Sequence, residues 1–475
     1  METYANLVAG VWRSDADARP DTSPSDTSDT IGLFAAADAD LVAEALAAAH
    51  AAQHGWARTT AAFRAAILSQ ASAELFRRAP ELGELLAREE GKTRLDATGE
   101  VTRAAQVLQY FAGEAVRAIG EKYPQVRPDV DVDVTREPVG VVGIITPWNF
   151  PIAIPAWKIA AALAYGNTVV FKPADLTPAS AWALVDILHR AGLPAGVLNL
   201  VMGRGSVVGD PLVDGVDAIS FTGSVPTGRR IAARAIGRMT RLQLEMGGKN
   251  PFVVLDDADL DVAVACALNG AFFQTGQRCT ASSRLIVTEG IHDAFVERLT
   301  AEMGKLRIGH ALDAETQIGP VVDARQMATD LDYIRIARDE GCEVVGGEQL
   351  ERATTGHFLS PALLVGATNA MRSSREEIFG PVASLIRVAN YDEALAVAND
   401  TEFGLSSGIC TTSLSRTRDF QRNSAAGLVM VNVPTAGLDY HVPFGGRKGS
   451  SYGPREQGSY AREFYTTVKT SYISG

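Results

Sequence analysis

The chain has 475 residues, 46% of them apolar, so it can bury more than one hydrophobic core and is expected to form two or three domains. Its 44 Lys and Arg residues against 56 Asp and Glu residues give a net charge of −12. Because the balance is acidic and no basic run interrupts it, neither a nucleic acid nor an anionic membrane is expected as a partner.

The N-terminal segment METYANLVAGVWRSD lacks a basic region followed by an apolar stretch, so no secretory signal is expected. The cysteines form no C-x-x-C pair and lie far apart, at Cys266, Cys279, Cys342 and Cys410. This spacing predicts neither a disulfide framework nor a metal site, and it favours a reducing cytoplasm. Residues 13–30 are polar and rich in turn formers, which predicts a surface loop.

Two helices are predicted next, one with Asp38 as its N-cap and Gly55 at its end, the other from about Thr60. Residues 119–137 (IGEKYPQVRPDVDVDVTRE) then alternate valine with aspartate, like an exposed antiparallel hairpin. Such a hairpin has free edges, so we expect it to assemble with other subunits, as a homodimer or homotetramer.

From residue 138 the pattern alternates between short apolar strands and helices. Residues 138–157 carry no charge, but their four prolines exclude a membrane-spanning helix and favour a buried strand followed by a structured loop. The segments GVVGIIT, TVVFKP, GVLNLVMG and DAISFTG are predicted strands, and the helices among them end at Gly166 and span Pro178 to Gly192. Alternation of this kind predicts a parallel, doubly wound α/β sheet, the layout of dinucleotide-binding domains. A second βα series begins near residue 248.

Two glycine-rich turns follow predicted strands in this region: VMGRGSVVG, with Gly203, Gly205 and Gly209, and FTGSVPTG, with Gly223 and Gly228. Neither matches G-x-G-x-x-G, and a glycine at such a turn often serves turn geometry alone. A helix that opens directly after such a turn can, however, present free N–H groups to a pyrophosphate.

Three further residues stand in positions that suit catalysis, although each also has an ordinary structural interpretation. Cys279, in GQRCT, is either a nucleophile or a small buried apolar residue. Glu245, just before Gly247 and Gly248, is either a base beside an open backbone or a solvated carboxylate. Asn149, fixed between two prolines in TPWNFP, either donates to a developing oxyanion or caps a turn.

Taken together, the motifs resemble those of the aldehyde dehydrogenase superfamily over nearly the whole chain. The matching blocks, in family order, are TPWNFP, GNTVVFKPAD, FTGSVPTG, LEMGGKNP, GQRCT, EEIFGP and PFGGRKGS. The resemblance implies two Rossmann-type doubly wound α/β domains and a small β oligomerisation hairpin. The cofactor-binding domain would comprise residues 1–118 and 138–247, the catalytic domain 248–455, and the oligomerisation elements 119–137 and 456–475.

For catalysis, the resemblance implies that Cys279 attacks the aldehyde carbonyl and that Asn149 stabilises the oxyanion. Glu245 would be the base that hydrolyses the thioester, and Glu456 would relay protons or hold Glu245. The implied cofactor contacts are Thr146, Trp148, Lys172, Asp175, Gly203, Phe221, Gly223, Ser224, Gly247, Glu377 and Phe379. Many members that use NAD have glutamate where this chain has Asp175, so NAD is expected and NADP is the alternative.

Two sequence blocks and one helix face bear on the identity of the substrate. The front PWNFPIAIPAWKIAAALAYGNTVVFKPAD and the tail after residue 432 look most like α-ketoglutaric semialdehyde dehydrogenases. Trp157 stands where succinic semialdehyde dehydrogenases have arginine, while Arg103 and Gln106 share a face of a helix implied to line the substrate tunnel. The expected substrate contacts are Arg103, Gln106, Phe150, Trp157, Arg278 and Phe444, and Arg278 has the rival role of lowering the pKa of the Cys279 thiol.

Other functions are open at this point. Within the family, the alternatives are a broad-specificity or a succinic semialdehyde dehydrogenase, or a coenzyme-A-acylating member, which would lack a glutamate at position 245. A non-redox cysteine hydrolase or acyl transferase would need a histidine base, and no histidine stands in a recognisable partner motif. A non-enzymatic binding protein is disfavoured because Cys279, Glu245 and Asn149 occur together.

Overall fold

A computed structural model of the chain describes residues 2–14, 17–117 and 120–474, so the predicted domain boundary at residues 118 and 119 lies outside the described residues. The described strands, in chain order, are β1 (Thr3–Tyr4), β2 (Asn6–Val8), β3 (Val11–Arg13), β4 (Ala18–Thr22), β5 (Thr30–Ala35), β6 (Glu121–Tyr123), β7 (Val130–Pro138), β8 (Val141–Ile145), β9 (Thr168–Lys172), β10 (Leu198–Leu200), β11 (Ala218–Thr222), β12 (Arg241–Glu245), β13 (Asn250–Val254), β14 (Ser282–Thr288), β15 (Glu343–Gly346), β16 (Ala362–Val365), β17 (Val382–Val388), β18 (Ser406–Cys410), β19 (Leu428–Val431), β20 (Ser451–Tyr452) and β21 (Thr466–Ser474). The described α-helices are α1 (Ala39–Ala57), α2 (Ala61–Glu90), α3 (Arg94–Ala115), α4 (Ala153–Ala164), α5 (Pro178–Arg190), α6 (Gly205–Gly215), α7 (Val225–Ile236), α8 (Leu260–Phe272), α9 (Glu289–Met303), α10 (Ala324–Asp339), α11 (Arg372–Arg375), α12 (Tyr391–Asn399), α13 (Leu414–Asn423) and α14 (Arg462–Tyr465).

The first sheet has eight strands in the order β20-β12-β11-β8-β9-β10-β2-β3. Its five central strands, from β12 to β10, are parallel. At one edge β20 pairs antiparallel with β12, and at the other β2 pairs antiparallel with β10 and β3 antiparallel with β2. Strand β20 belongs to the tail of the chain, so the C-terminal region completes a sheet built mostly from the first half.

Helices cover both faces of this sheet, which explains why its strands have no polar face. Along β8, Val142 and Ile144 pack with helices α2 to α5, while Val141 and Ile145 pack with α1, α6 and α7. Each fully buried side chain of this size contributes about 1.5–3 kcal/mol through apolar burial. The sheet therefore forms two cores, as the doubly wound pattern predicts.

The second sheet has seven strands in the order β15-β16-β17-β14-β13-β18-β19, all parallel except β15. Its faces alternate in the same way: Phe252 and Val254 of β13 pack under α8 and α9, and Val253 packs on the side of α10, α12 and α13. This unit corresponds to the second βα series expected from about residue 248.

A separate three-stranded sheet has the order β21-β7-β6. The hairpin expected within 119–137 is present as β6 paired antiparallel with β7, and the C-terminal strand β21 pairs with the other edge of β7 from Thr466 to Ser474. Both outer strands, β6 and β21, keep one edge without a partner strand in the described chain.

Two local predictions were wrong. Residues 13–30 are not only a surface loop, because β4 pairs with β5 and buries Asp21, which lies against the buried carboxyl of Glu89. The first helix does not end at Gly55, since α1 continues to Ala57. The predicted N-cap at Asp38 is confirmed, because its side chain accepts a hydrogen bond from the Leu41 N–H, and the predicted start of the second helix near Thr60 is confirmed, since Thr60 is the N-cap of α2. In the described residues, no helix is long and apolar enough to cross a membrane.

Candidate active site

The predicted catalytic segments meet where the two large sheets face each other. Thr146 and Asn149 follow the carboxyl end of β8, and Glu245 is the last residue of β12. Cys279 lies just before the amino end of β14, and Glu377 precedes β17. The carboxyl ends of one parallel sheet thus approach the amino ends of the other, and carboxyl ends are where open α/β sheets bind ligands.

A cavity of about 320 Å³ opens at this junction. Cys279 and Glu245 line it, together with the predicted substrate contacts Arg103, Phe150, Trp157, Arg278 and Phe444. Further lining comes from residues that the sequence analysis did not select, among them Asp96, Glu100, Gln274, Leu438 and Gln457. Gln106 is not among the lining residues, because three residues along α3 carry it about 4.5 Å further along the helix axis than Arg103.

A tight 3₁₀ turn at Phe273–Gly276 precedes Cys279. Gln274 and Thr275 have φ values of 53° and 57°, and at Gly276 a Cβ would lie 2.1 Å from the Gly380 carbonyl oxygen. Asn250 Nδ2 donates to the Cys279 carbonyl oxygen at 2.8 Å and fixes the backbone at the predicted nucleophile. Non-glycine residues adopt positive φ rarely, and here the turn directs the thiol into the cavity.

The charges around Cys279 favour the thiol over the thiolate. Burial, followed by the negative charges of Glu245 and Glu377, raises the pKa of the Cys279 thiol to about 12. The rival role of Arg278 would lower the pKa of the Cys279 thiol, whereas the net shift of this pKa is upward. The Arg278 guanidinium is committed to the carbonyl oxygens of Asn269 and Gly270, and burial lowers the pKa of Arg278 to about 10.

Asn149 is buried, and its Nδ2 donates to the Gln277 carbonyl oxygen at 3.0 Å. An amide NH₂ has two hydrogens, so one remains for an oxygen bound in the cavity. Lys92 Nζ supports the backbone by donating to the Asn149 carbonyl oxygen at 2.7 Å and to Glu100 Oε2 at 2.6 Å.

The pair that supports the Asn149 backbone, Lys92 and Glu100, was not predicted from the sequence. Glu100 Oε1 also accepts the N–H groups of Ile152 and Ala153, both at 3.1 Å, at the first turn of α4. The only available signal was a glutamate on the apolar face of α3, where Ala97, Val101 and Ala104 are also buried. Breaking a buried ion pair of this kind typically costs about 3–5 kcal/mol, so this pair holds the Asn149 segment firmly.

Glu245 is also buried. Burial, followed by the charge of Glu456, raises the pKa of Glu245 well above the usual range, while Ser451, Lys158 and Arg455 oppose that increase. Ser451 Oγ donates to Glu245 Oε2 at 2.5 Å. The carboxylate thus lies in an environment that holds a proton strongly, as a base in a dry pocket does.

Glu456 does not line the cavity and lies behind Trp157. Its Oε2 accepts from Trp157 Nε1 at 2.7 Å, and its Oε1 accepts from Lys158 Nζ. Trp157 therefore has one face toward the cavity and its N–H committed to Glu456. Lys158 was not predicted as a site residue. It is the only charged residue in the buried helix α4, and a single charge among apolar residues indicates a buried partner of opposite charge.

Arg103 is the predicted cation of the cavity wall. Its Nη2 donates to Gln457 Oε1 at 3.3 Å, and burial lowers the pKa of the guanidinium. Within the described residues Arg103 makes no ion pair with a carboxylate within 4.0 Å, although Asp439 and Glu100 are close enough to influence its charge.

The residues expected at the cofactor lie at the carboxyl ends of β8, β9 and β11. Lys172 Nζ donates to Asp175 Oδ1 at 2.7 Å, and the Asp175 side chain is 42% exposed. Ser224 is the N-cap of α7, but its side chain makes no capping hydrogen bond. Because Pro226 has no N–H, the groups of the first turn that can bind an anion are the N–H groups of Val225 and Thr227. Phe221 packs beneath this turn, because a Cβ at Gly223 or Gly228 would contact its ring.

Other groups at the predicted cofactor position also fit a ligand. The buried hydroxyls of Thr146 and Thr222 have no hydrogen-bond partner in the described part of the chain. Trp148 and Phe379 meet edge to face, with ring centroids 5.5 Å apart. Glu377 Oε1 accepts from the Gly248 N–H at 2.9 Å, and burial raises the pKa of Glu377 to about 7.

Two glycines complete the cofactor-facing turns. A Cβ at Gly247 would lie 2.0 Å from Glu377 Oε2, so only glycine lets that carboxylate approach the backbone. Gly203, with φ of 138°, follows β10 and packs closely against the Ala37 backbone. No group of three or more His, Cys, Asp or Glu side chains suited to a metal ion occurs in the described residues.

Comparison with known proteins now identifies the family. Residues 12–471 match the aldehyde dehydrogenase family. The chain belongs to that family. It is 42% identical over 480 residues to an α-ketoglutaric semialdehyde dehydrogenase of Bacillus subtilis, covering 100% of this chain and 98% of the relative. It is also 38% identical to a succinate-semialdehyde dehydrogenase [NADP(+)] of Escherichia coli, covering 98% and 96%.

The solved structures agree with the sequence relatives. Betaine aldehyde dehydrogenase of Staphylococcus aureus in complex with NAD⁺ superimposes with a TM-score of 0.96 at 32% identity, covering 99% of this chain and 94% of that one. The predicted aldehyde dehydrogenase fold and the family resemblance are therefore confirmed, and aldehyde dehydrogenase activity is the function class of this protein.

Proposed function

We propose that this protein oxidises an ω-oxo acid, such as α-ketoglutaric semialdehyde, to the dicarboxylic acid, with NAD as the hydride acceptor. The observation that carries the proposal is Arg103, a guanidinium that lines the same cavity as Cys279 and whose hydrogen-bond partner among the described residues is a neutral amide oxygen at 3.3 Å. A partly buried cation is stabilised when it pairs with an anion, and a substrate carboxylate would supply that anion. The relatives that act on semialdehyde acids support this choice.

Acylation would begin at Cys279. The thiol gives its proton to water, Sγ bonds to the aldehyde carbon, and the carbonyl electron pair moves to oxygen, giving the oxyanion of a thiohemiacetal. The free hydrogen of Asn149 Nδ2 and the backbone N–H of Cys279 would stabilise that oxyanion. NAD, when bound, supplies the acceptor for the hydride of this carbon, whose loss leaves a thioester on Cys279.

Deacylation would depend on Glu245. Its carboxylate accepts a proton from water while the water oxygen bonds to the acyl carbon. The carbon–sulfur bond then breaks, the sulfur takes up the proton that Glu245 accepted, and the acid leaves with the thiol and the carboxylate restored. Glu456 would influence this step by raising the pKa of Glu245, since its own oxygens are occupied by Trp157 and Lys158.

The cofactor would bind across the carboxyl ends of the first sheet. Lys172 and Asp175 would hold the adenosine ribose, and the uncapped N-terminus of α7, at Ser224, would take the pyrophosphate. Glu377 and Phe379 would hold the nicotinamide ribose and ring. NADP, named for the Escherichia coli relative, is the alternative that Asp175 disfavours.

Replacing Arg103 tests the substrate. Arg103→Met should lower kcat/KM for α-ketoglutaric semialdehyde by about ten- to a hundredfold, because a charge-assisted hydrogen bond of about 1.5–3 kcal/mol is lost. Butanal, which has no carboxylate, should be oxidised nearly as before. Arg94→Met is the matched control, since Arg94 begins the same helix but its side chain is 53% exposed. Equal wild-type efficiency on both aldehydes would return the protein to the broad-specificity class.

We further propose a homodimer or homotetramer assembled through the β21-β7-β6 sheet. The open edges of β21 and β6 carry exposed Tyr123, Val468, Tyr472 and Ile473, which a second copy could cover. Light scattering at micromolar concentration should give two or four times the monomer mass of 50.4 kDa. A monomer would refute the assembly without affecting the catalytic proposal.

A further inference from the structure

We propose that Ser451 is a positioning residue that holds Glu245 as a carboxylate, ready to accept a proton from the hydrolytic water. The proposal rests on the role of Glu245 in the proposed function. Neither the family motifs nor the charge pattern singled out Ser451, which belongs to the antiparallel edge strand that the tail of the chain adds to the first sheet.

The register of β20 on β12 produces the contact. Ser451 pairs directly with Glu245, and Tyr452 pairs with Leu244. Residues directly opposite in an antiparallel pair project to the same face with Cβ atoms about 4.5–5.5 Å apart, within reach of a short hydroxyl. The resulting distance from Ser451 Oγ to Glu245 Oε2 is 2.5 Å, so the edge strand delivers one hydroxyl to the carboxyl.

A second hydrogen bond sets the direction of that hydroxyl. The Gly446 N–H donates to Ser451 Oγ at 2.6 Å. A backbone N–H can only donate, so the Ser451 oxygen accepts there and its own hydrogen is free to point at Glu245. An ionised carboxylate accepts this hydrogen more strongly than the carbonyl oxygen of a protonated carboxyl does, so the arrangement favours the ionised form.

The Gly446 peptide is itself held rigidly. Arg455 Nη1 donates to the Gly446 carbonyl oxygen, and a Cβ at Gly446 would lie 2.9 Å from Ser451 Oγ. Gly445 has a φ of 148°, and a Cβ there would come within 2.7 Å of Glu245 Oε1. The double-glycine turn thus brings a backbone donor to Ser451 and leaves room for both carboxylate oxygens.

The hydroxyl matters because the other surroundings of Glu245 oppose ionisation. Burial and the neighbouring Glu456 raise the pKa of Glu245, and the Ser451 hydrogen bond is the first of the influences that lower it. Without the hydroxyl the carboxyl would retain its proton to higher pH. A protonated Glu245 cannot accept a proton from water, so hydrolysis of the thioester would slow while its formation continued.

The test compares Ser451→Ala with Ser451→Thr, which keeps the hydroxyl, and with Ser407→Ala as a matched control. Ser407 is a buried serine on β18 whose hydroxyl bonds to Ser424 at 2.7 Å and which does not line the catalytic cavity. For each variant, NADH formation is followed before and during the steady state as a function of pH, with the aldehyde that the wild type uses best.

For Ser451→Ala, the acidic limb of the steady-state rate should move up by about one pH unit, which lowers the rate on that limb about tenfold. A burst approaching one NADH per subunit should appear, because acylation outruns hydrolysis. Ser451→Thr should restore the wild-type profile, and Ser407→Ala should not shift it. An unshifted profile in Ser451→Ala, or an equal loss at every pH, would overturn the proposal.

Glu245→Gln separates the two hypotheses. If that variant keeps steady-state turnover, the proposed base is wrong whatever Ser451 does. If it loses turnover while Ser451→Ala keeps the wild-type pH profile, the role of Glu245 stands and only the inference about Ser451 fails. Combining both substitutions should lower the rate no further than Glu245→Gln alone, because the hydroxyl would act only through the carboxylate.

Discussion

The reacting region and the cofactor-facing region of this site are built differently. Asn149 and Glu245 are nearly inaccessible to solvent, and each is tied to a group from a distant part of the chain. Asp175 and Ser224, at the proposed cofactor face, are exposed, and the hydrogen bonds of their side chains to described residues are local, at i−3 and i+3. The proposed reacting groups are thus fixed before a ligand arrives, whereas Asp175 and Ser224 stay accessible to solvent until one binds.

The difference predicts how strongly each region responds to substitution. Charges in a buried, low-dielectric region interact strongly and cannot be replaced by water. Exposed charges are screened by water and salt, so each contributes little. Changes in the reacting region should therefore abolish one step of the reaction, while changes at the cofactor face should only adjust a preference.

The largest effect is expected at the nucleophile. Cys279→Ala should bind NAD but form NADH more than about a thousandfold more slowly from any aldehyde, because no thiohemiacetal can form. Cofactor binding can be measured by calorimetry and turnover by absorbance at 340 nm. Cys342→Ala, a buried cysteine outside the cavity, is the control. Turnover of Cys279→Ala within tenfold of wild type would remove Cys279 from the mechanism.

The next effect should fall on a single step. Glu245→Gln should give a burst of about one NADH per active subunit and then turn over about a hundred- to a thousandfold more slowly, because only hydrolysis needs the base. Rapid mixing with absorbance detection separates the two phases. Loss of the burst together with turnover would mean that Glu245 acts earlier, for example on the thiol whose pKa it raises.

The smallest effect should be at the cofactor face. The wild type should prefer NAD over NADP modestly in kcat/KM, and Asp175→Ala should narrow that preference by about fivefold, corresponding to about 1 kcal/mol for a screened charge. Loss of Asp175 also frees Lys172 to pair with a 2′-phosphate. Asp332→Ala, an exposed aspartate on α10, should leave the ratio unchanged. A wild-type preference for NADP would show that Asp175 does not repel the phosphate.

The strands and helices of the doubly wound units could be predicted because their signals are local. The cap at Asp38, the start of α2 near Thr60 and the glycines that close α4 and α5 follow from spacing within one or two helical turns. Strand β4 could not be predicted, because its pairing with β5 outweighed the local turn formers. The roles given to Cys279, Asn149 and Glu245 are predictions from their sequence blocks.

Sequence by itself determined the family, the order of the α/β units and the residue types available for chemistry, since each is encoded in short contiguous blocks. Only the tertiary structure decided which of those groups are buried and paired. Glu245 meets Ser451 across 206 residues, and Trp157 meets Glu456 across 299. Burial and charge pairing depend on groups brought together by the folded sheets, so the raised pKa values of Cys279 and Glu245 and the hydrogen bond of Arg103 to Gln457 appear only when the chain is folded.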